Sequence, residues 1–232
     1  MYDSQPALEI NNNKIFGVQG FAQILEALKQ NVKERVVAFE TYPGVSTATI
    51  VSALRQGFPK SRIVSTEDLL IPQKEIMNQV ESDISTDPTF GRFSHRSFTE
   101  FLDPAKLAQV RDQASKFPTF IVGICAADII PGAKILYWDI TRREILLRMS
   151  SGDYHTWLNT QSMGESEMVR HAYFFEWPAA DERKKDLLTR CAYYVDASDA
   201  ARPKMLNRAD MQAIFLNFQV KCNDDNESLI VV

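Results

Sequence analysis

Apolar residues along this chain recur in two ways, and the two kinds of stretch alternate. Short, almost continuously apolar runs are typical of strands buried in a parallel sheet, and they lie at 35–40, 62–66, 119–125, 134–140 and 191–196. Segments with apolar residues at helical spacing predict helices, and they lie at 17–29, 46–56, 104–116, 142–149, 165–175, 180–190 and 208–218. The stretch 69–104 is rich in polar and turn residues and is predicted to be irregular.

Strands that alternate with helices predict an α/β fold of three layers, with a mostly parallel sheet flanked by helices. No repeat or linker divides the chain, so we expect a single domain over 1–232, with its core at 30–205 and a flexible tail at 219–232. Ligands of such sheets bind at the carboxyl ends of the strands. The residues of interest therefore come just after Phe39, Thr66, Gly123 and Tyr137.

Composition and charge narrow the class of protein. Apolar residues make up 45% and charged residues 24% of the chain, as in an ordinary globular protein. The formal net charge of −4 gives no electrostatic reason to expect nucleic acid as a partner. No stretch approaches the roughly 20 apolar residues of a membrane span, and the first residues lack the basic start and apolar run of a secretory signal.

The cysteines and histidines predict a cytoplasmic protein without a metal site. The cysteines form no C-x-x-C pair, and their odd number suits a reducing compartment better than a disulfide scaffold. The histidines do not have the spacing of zinc ligands. These residues are Cys125, Cys191, Cys222, His95, His155 and His171.

The loop after the first predicted strand has the layout of a phosphate-binding loop, because a strand, a glycine-containing turn and a helix follow one another. Compared with the pattern G-x-x-x-x-G-K-[ST], however, only Thr47 matches. Glu40 replaces the first glycine, Val45 the second and Ser46 the lysine. The loop is either a tight turn with a capped helix or a weak anion site, and ATP with Mg²⁺ is the cofactor if phosphotransfer survives. The candidate contacts are Tyr42, Gly44, Ser46 and Thr47.

Acidic and basic residues follow two other strands. Glu67 and Asp68 come after the second strand, where an aspartate of a kinase-like site orients or deprotonates the acceptor hydroxyl; the alternative is a polar turn. Arg143 and Arg148 follow the fourth strand, where arginines are able to clamp a phosphate; the alternative is a solvated helix face.

Two further segments carry candidate groups. Arg92 and His95 lie in a stretch that alternates aromatic and basic residues, and we consider them candidates for binding an anionic sugar or nucleotide. The aromatic segment 173–177 is interpreted as core or as a subunit interface.

Several stretches together resemble one family. They read YPGV from Tyr42, STEDLL from Ser65, TDPTFGRFSH from Thr86, LYWDITRREILLR from Leu136, RHAYFFEWPAADERKK from Arg170 and YYVDASDAARPKM from Tyr193. This set resembles the kinase-like N-terminal region of large bacterial class I mannose-6-phosphate isomerases, which is itself similar to uridine-kinase-type nucleoside kinases. The resemblance covers nearly the whole chain, and it departs at Cys125, where a glycine is expected, and at Pro178, where the family tends to have arginine.

The resemblance implies a P-loop kinase-like fold and assigns roles to three residues. Asp68 lies where nucleoside kinases carry the acceptor-side carboxylate, and Arg143 and Arg148 lie in the region of the arginine-bearing lid helix. These 232 residues leave no room for the metal-dependent isomerase barrel, so isomerase chemistry is not expected of them.

Three hypotheses about function follow. The first is a degenerate nucleoside-kinase-like domain that binds a nucleotide or a sugar phosphate without efficient ATP turnover. The second is an active phosphotransferase with Asp68 as base, Thr47 on Mg²⁺ and Arg143 and Arg148 as charge stabilisers. The third is a structural docking or dimerisation domain, as a homodimer or paired with an isomerase domain.

Overall fold

The computed structural model describes residues 17–85, 87, 91–154, 156–157 and 163–214. Its strands are β1 (Val18–Gln19), β2 (Val36–Thr41), β3 (Arg62–Ser65), β4 (Thr119–Gly123), β5 (Lys134–Asp139), β6 (Tyr193–Asp196) and β7 (Lys204–Asn207). Its helices are α1 (Gly20–Asn31), α2 (Thr47–Gly57), α3 (Gln73–Ile84), α4 (Pro104–Ala114), α5 (Ala126–Ile129), α6 (Arg142–Ser151), α7 (Glu165–His171) and α8 (Trp177–Arg190). A π-helix, Ala172–Glu176, joins α7 to α8, and short 3₁₀ turns lie at Thr66–Leu69 and Phe98–Phe101.

The seven strands form one sheet in the order β1-β7-β6-β5-β2-β4-β3. The five strands from β6 to β3 are parallel, whereas β7 is antiparallel to β6 and β1 is antiparallel to β7. The predicted α/β class with a mostly parallel sheet flanked by helices is therefore confirmed. No helix in the described part of the chain is long and apolar enough to cross a membrane.

Strand β2 lies at the centre of the sheet, between β4 and β5. At its carboxyl end Glu40 is in register with Gly123 of β4 and with Tyr137 of β5. The connection that follows β2 leads to β3 on one side, and the connection that follows the neighbouring β5 leads to β6 on the other side. The carboxyl ends of β2 and β5 are therefore the point where a crevice is expected in an open α/β sheet.

The core is continuous on both faces of the sheet. The central strands have almost no exposed residues, and Phe39, Tyr137 and Trp138 are among the largest fully buried side chains. Helices α1 and α2 each turn one apolar face to this core, as the helical spacing of their apolar residues predicts. The five predicted strands agree with β2 to β6 to within two residues at each end.

The prediction of an irregular stretch at 69–104 was wrong in its first half, because α3 occupies Gln73–Ile84. Its buried residues Ile76, Val80 and Ile84 are four residues apart, so they form one narrow stripe on an otherwise polar helix. Strands β1 and β7 were not predicted, since β1 has only two residues and β7 has only two apolar residues, between Lys204 and Asn207, and no continuous apolar run. The predicted last helix is helical at 208–214, and its end and the tail at 219–232 lie outside the described residues.

Candidate functional site

The connection from β2 to α2 is a tight turn. The Tyr42 amide donates to the Trp138 carbonyl at 2.9 Å and so extends the strand pairing, and the Val45 amide donates to the Tyr42 carbonyl at 3.1 Å. Gly44 has φ +100°, a backbone conformation that favours glycine. Ser46 is the N-cap of α2, and its hydroxyl accepts from the Thr49 amide. Several polar groups that would face an anion in a phosphate loop thus make hydrogen bonds within the turn instead.

Arg148 holds this turn from the side of α6. Its guanidinium donates to the carbonyls of Gly44 at 2.9 Å and of Ala197 at 3.0 Å, and its Nε donates to Glu144 at 3.1 Å. The side chain is only 9% exposed. The structure therefore places Arg148 inside the protein, as a link between three backbone segments, and not on the surface of a lid helix.

Arg143, Arg92 and His95 are exposed. Arg143 makes no ion pair among the described residues. Arg92 and His95 line an open groove with Ser82, Asp83, Arg96 and Glu100, and this groove shares no lining residue with the small pockets around the β2–α2 turn. The segment that carries them is anchored to the π-helix, since the Ser94 amide donates to the Phe174 carbonyl at 2.8 Å. The structure does not bring Arg92 and His95 to the turn.

Thr47, Glu67 and Asp68 are brought to the same edge of the sheet. The Thr47 hydroxyl donates to Oε1 of Glu67 at 2.9 Å, which joins the start of α2 to the turn after β3. Asp68 is exposed, and its carboxylate accepts no hydrogen bond from the described residues. Two carboxylates and a hydroxyl are therefore accessible at the carboxyl ends of β2 and β3.

Glu40 is buried at the centre of this edge, with an exposed fraction of 1%. Its Oε1 accepts from the Cys125 amide at 2.9 Å and its Oε2 from the Ala127 amide at 2.8 Å. Arg183 of α8 donates to Oε1 at 2.8 Å. Cys125 has φ +68°, in the left-handed region, and its amide and that of Ala127 both donate to this one carboxylate. Glu40 thus occupies a concave nest of backbone amides of the kind that binds anions.

The charge on Glu40 is compensated within the protein. Burial raises the pKa of the Glu40 carboxyl, and Arg183 and the two amides act in the opposite direction. Arg183 also pairs with Asp128 at 2.6 Å, and Arg190 reaches Asp128 at 3.5 Å. Since a guanidinium stays protonated in proteins, we describe Glu40 and Arg183 as a buried ion pair at the head of a charged network.

A second group of side chains closes the crevice beside Glu40. The guanidinium of Arg142 lies 3.9 Å from the centre of the Trp177 ring and pairs with Asp181 at 3.2 Å. Asp181 also accepts from the Tyr42 hydroxyl at 2.7 Å. Arg143 was predicted as a candidate and Arg142 was not, because the residue spacing alone does not show which of two adjacent arginines faces α8.

Glu176, which the sequence analysis did not select, is buried on the π-helix. The Tyr154 hydroxyl donates to it at 2.5 Å, and the Thr156 hydroxyl donates to its other oxygen. Burial raises the pKa of Glu176 to about 7, and the two hydroxyl donors act in the opposite direction. A single glutamate inside the aromatic run 173–177 was the signal in the sequence, since a lone carboxyl in an apolar segment is costly to bury.

One cluster contains groups of the kind that bind metals. Oxygen or nitrogen atoms of Glu81, Glu167 and His171 lie within 4.8 Å of one another. Both oxygens of Glu81 already accept from Arg170, at 3.1 and 3.2 Å, and Oε1 lies 2.7 Å from His171 Nε2. A metal-bound histidine normally donates its other nitrogen, and within the described residues His171 Nδ1 has no partner. We therefore assign this cluster to ion pairing.

The fold and the site together define an α/β protein whose crevice at the carboxyl ends of the strands is closed by its own side chains. The chain belongs to a family described as a domain of unknown function (DUF8485), whose model matches residues 20–218. No curated protein matches the chain.

Proposed function

We propose that this chain is a kinase-like domain that binds a phosphorylated sugar or a nucleotide and does not turn over ATP efficiently. The proposal includes the P-loop kinase-like fold and the relation to the kinase-like region of class I mannose-6-phosphate isomerases. The single observation that carries it is the position of Glu40.

The order of the strands supports the kinase-like part of the proposal. Numbered along the chain, the five parallel strands lie in the order 2-3-1-4-5, with β2 as the first of them. This differs from the 3-2-1-4-5-6 order of dinucleotide-binding folds and from the 2-1-3-4-5 order of flavodoxin-like folds. A central first strand followed by a turn and a helix is the layout that a phosphate-binding loop requires.

The charges at the carboxyl end of β2 disfavour efficient turnover of ATP. A phosphate loop presents backbone amides and a lysine to the β- and γ-phosphates, whereas the first position of the loop pattern here is Glu40, whose carboxylate is bound to the Cys125 and Ala127 amides of the segment after β4. The arginine beside it, Arg183, is paired with Glu40 and Asp128. A triphosphate placed at this point would have to displace or repel Glu40, so the residues present do not fit ATP in the usual position.

The accessible groups at the same edge suit a smaller ligand. Carboxylates such as Asp68 and Glu67 accept hydrogen bonds from sugar hydroxyls, and an exposed arginine such as Arg143 is able to bind a phosphate in a bidentate manner. We therefore expect the ligand to be a hexose phosphate or a nucleoside monophosphate.

The test is a thermal-shift screen, confirmed by calorimetry, with mannose 6-phosphate, fructose 6-phosphate, UMP and uridine, and with ATP plus Mg²⁺. A ligand at about a hundred times its Kd stabilises the folded state by about 2.7 kcal/mol, so a clear rise in Tm is expected for a monophosphate. Asp68→Asn and Arg143→Gln should each weaken binding about tenfold. Glu182→Gln, at a side chain 77% exposed on α8, should leave binding unchanged.

Two other results would contradict the proposal. The first is Mg²⁺-dependent turnover of ATP that Asp68→Asn abolishes. It would favour an active phosphotransferase, to which the contact between Thr47 and Glu67 also points, since both oxygens suit Mg²⁺. The second is the absence of any shift together with a stable dimer in solution. It would favour a docking domain, with the half-exposed Tyr173 and Phe93 at the interface.

A further inference from the structure

The side chain of Glu176 joins two parts of the protein that are distant in sequence. Its carboxyl lies at the end of the π-helix, and its two oxygens accept from Tyr154 and Thr156, which follow α6. The ring of Tyr154 in turn packs on the β2–α2 turn, since it lies 3.5 Å from where a Cβ on Gly44 would be. Glu176 is thus connected through one tyrosine to the turn at the candidate site. π-Helices occur frequently at functional positions.

Several charged groups on the helices around the π-helix form ion pairs away from Glu176. The π-helix packs against α3, α7 and α8. On α3 and α7, Glu81 pairs with Arg170 and His171, and on α8 Arg183 pairs with Glu40. Among the described residues the titratable groups that face the carboxyl are the phenol of Tyr154 and, beyond it, that of Tyr42. No cation of the described residues compensates an ionised Glu176.

We propose that Glu176, Tyr154 and Thr156 form a latch, operated by one proton, that holds Tyr154 against the β2–α2 turn. With the proton on Glu176, the carboxyl is neutral and its O–H and carbonyl share hydrogen bonds with the two hydroxyls. Without it, a negative charge is buried for which the described residues provide two hydroxyl donors and no cation, which favours opening toward water. The latch does not depend on the ligand proposed above.

The direction of the pH dependence follows from the pKa of Glu176, which burial raises from 4.5 to about 7. When the latch opens, the carboxyl reaches water and its pKa returns toward the ordinary value. Between these two values the closed state binds a proton that the open state has lost, so closure is favoured at acidic pH and weakens as the pH rises to about 7. A pKa difference of this size corresponds to a change of about a hundredfold or more in the opening equilibrium.

Hydrogen exchange read by mass spectrometry at pH 5.5 and pH 8.0, corrected for the intrinsic exchange rate, tests the latch. Peptides that contain Tyr154 and peptides that contain the 42–46 turn should exchange about thirtyfold faster at pH 8.0, because ionisation of the open state already favours opening about tenfold at pH 5.5. Peptides from β2 and β4 should be equally protected from hydrogen exchange at the two pH values. Equal protection of the Tyr154 peptides at the two pH values would overturn the latch.

Three variants separate this effect from a general effect of pH. Glu176→Gln keeps the shape of the neutral side chain, so the Tyr154 peptides of this variant should be equally protected from hydrogen exchange at both pH values. Tyr154→Phe keeps the ring on Gly44 but removes one donor, so opening at pH 8.0 should increase further. Glu182→Gln changes an exposed carboxyl on the adjoining helix and should behave like the wild type. A Glu176→Gln protein that retains the wild-type pH dependence would exclude Glu176 as the titrating group.

Discussion

Glu40→Ala should lower the free energy of unfolding by about 3–5 kcal/mol, the usual cost of removing one partner of a buried ion pair. The substitution leaves Arg183, whose side chain is 15% exposed, without its main partner. It also leaves the amides of Cys125 and Ala127 without their acceptor. Urea denaturation followed by circular dichroism measures the change.

The matched control is Glu34→Ala, which removes a carboxylate from an exposed pair with Lys134 at 3.0 Å. Exposed pairs contribute about 0–1 kcal/mol, so this variant should remain close to the wild type. If Glu40→Ala costs no more than Glu34→Ala, the buried pair does not stabilise the sheet edge.

Small anions provide a further test of the amide nest. Formate or acetate should raise the Tm of the Glu40→Ala protein, because a free carboxylate is able to occupy the space between the two amides and Arg183. The same salts should leave the Tm of the wild type and of Glu34→Ala unchanged, relative to chloride at equal ionic strength. If Glu40→Ala fails to fold, two milder variants test whether the buried pair stabilises the protein. Glu40→Gln, which keeps an acceptor oxygen, and Arg183→Met should each lower the free energy of unfolding by at least about 1 kcal/mol.

Gly123→Ala should cost about 2–5 kcal/mol. Gly123 has φ +128°, and a Cβ built on it lies 2.1 Å from the Thr66 hydroxyl oxygen. The backbone strain accounts for about 1–2 kcal/mol, and the crowding for about 1–3 kcal/mol. Thermal and urea denaturation of the purified variant provide the measurement.

Two companion variants separate strain from crowding. Gly132 also has a positive φ, +79°, but nothing lies within 4 Å of its Cβ position, so Gly132→Ala should show the strain alone. Adding Thr66→Ala to Gly123→Ala removes the crowding and should recover part of the loss. Equal costs for Gly123→Ala and Gly132→Ala would show that Thr66 moves aside freely.

The fold class was predictable because the five parallel strands are short apolar runs, and burial on both faces of a sheet leaves that pattern in the sequence. Helix α3 was missed because its apolar stripe is narrow. Its three fully buried residues stand among polar ones, and a single stripe of this kind gives a weak periodic signal.

The candidate site was less predictable, because its key contacts join distant residues. Glu40 and Arg183 are 143 positions apart, and Arg148 and Gly44 are 104 apart. From the sequence, Glu40 is recognisable only as a residue in place of a glycine, since its position inside a nest depends on a loop that follows another strand. Thr47 and Glu67 were both selected, but their contact depends on the packing of α2 beside β3.

The π-helix also sets the rotational phase between the two helices that it joins. Each residue of an α-helix turns the chain by about 100°, so one extra residue in the turn Ala172–Glu176 rotates everything on α7 relative to α8. As the helices stand, α8 directs Arg183 to the sheet while α7 directs His171 to α3. Deleting one residue here would still allow a regular helix, but the two faces would no longer reach their partners together. Insertions and deletions in this turn should therefore be tolerated far less than in an ordinary helix connection.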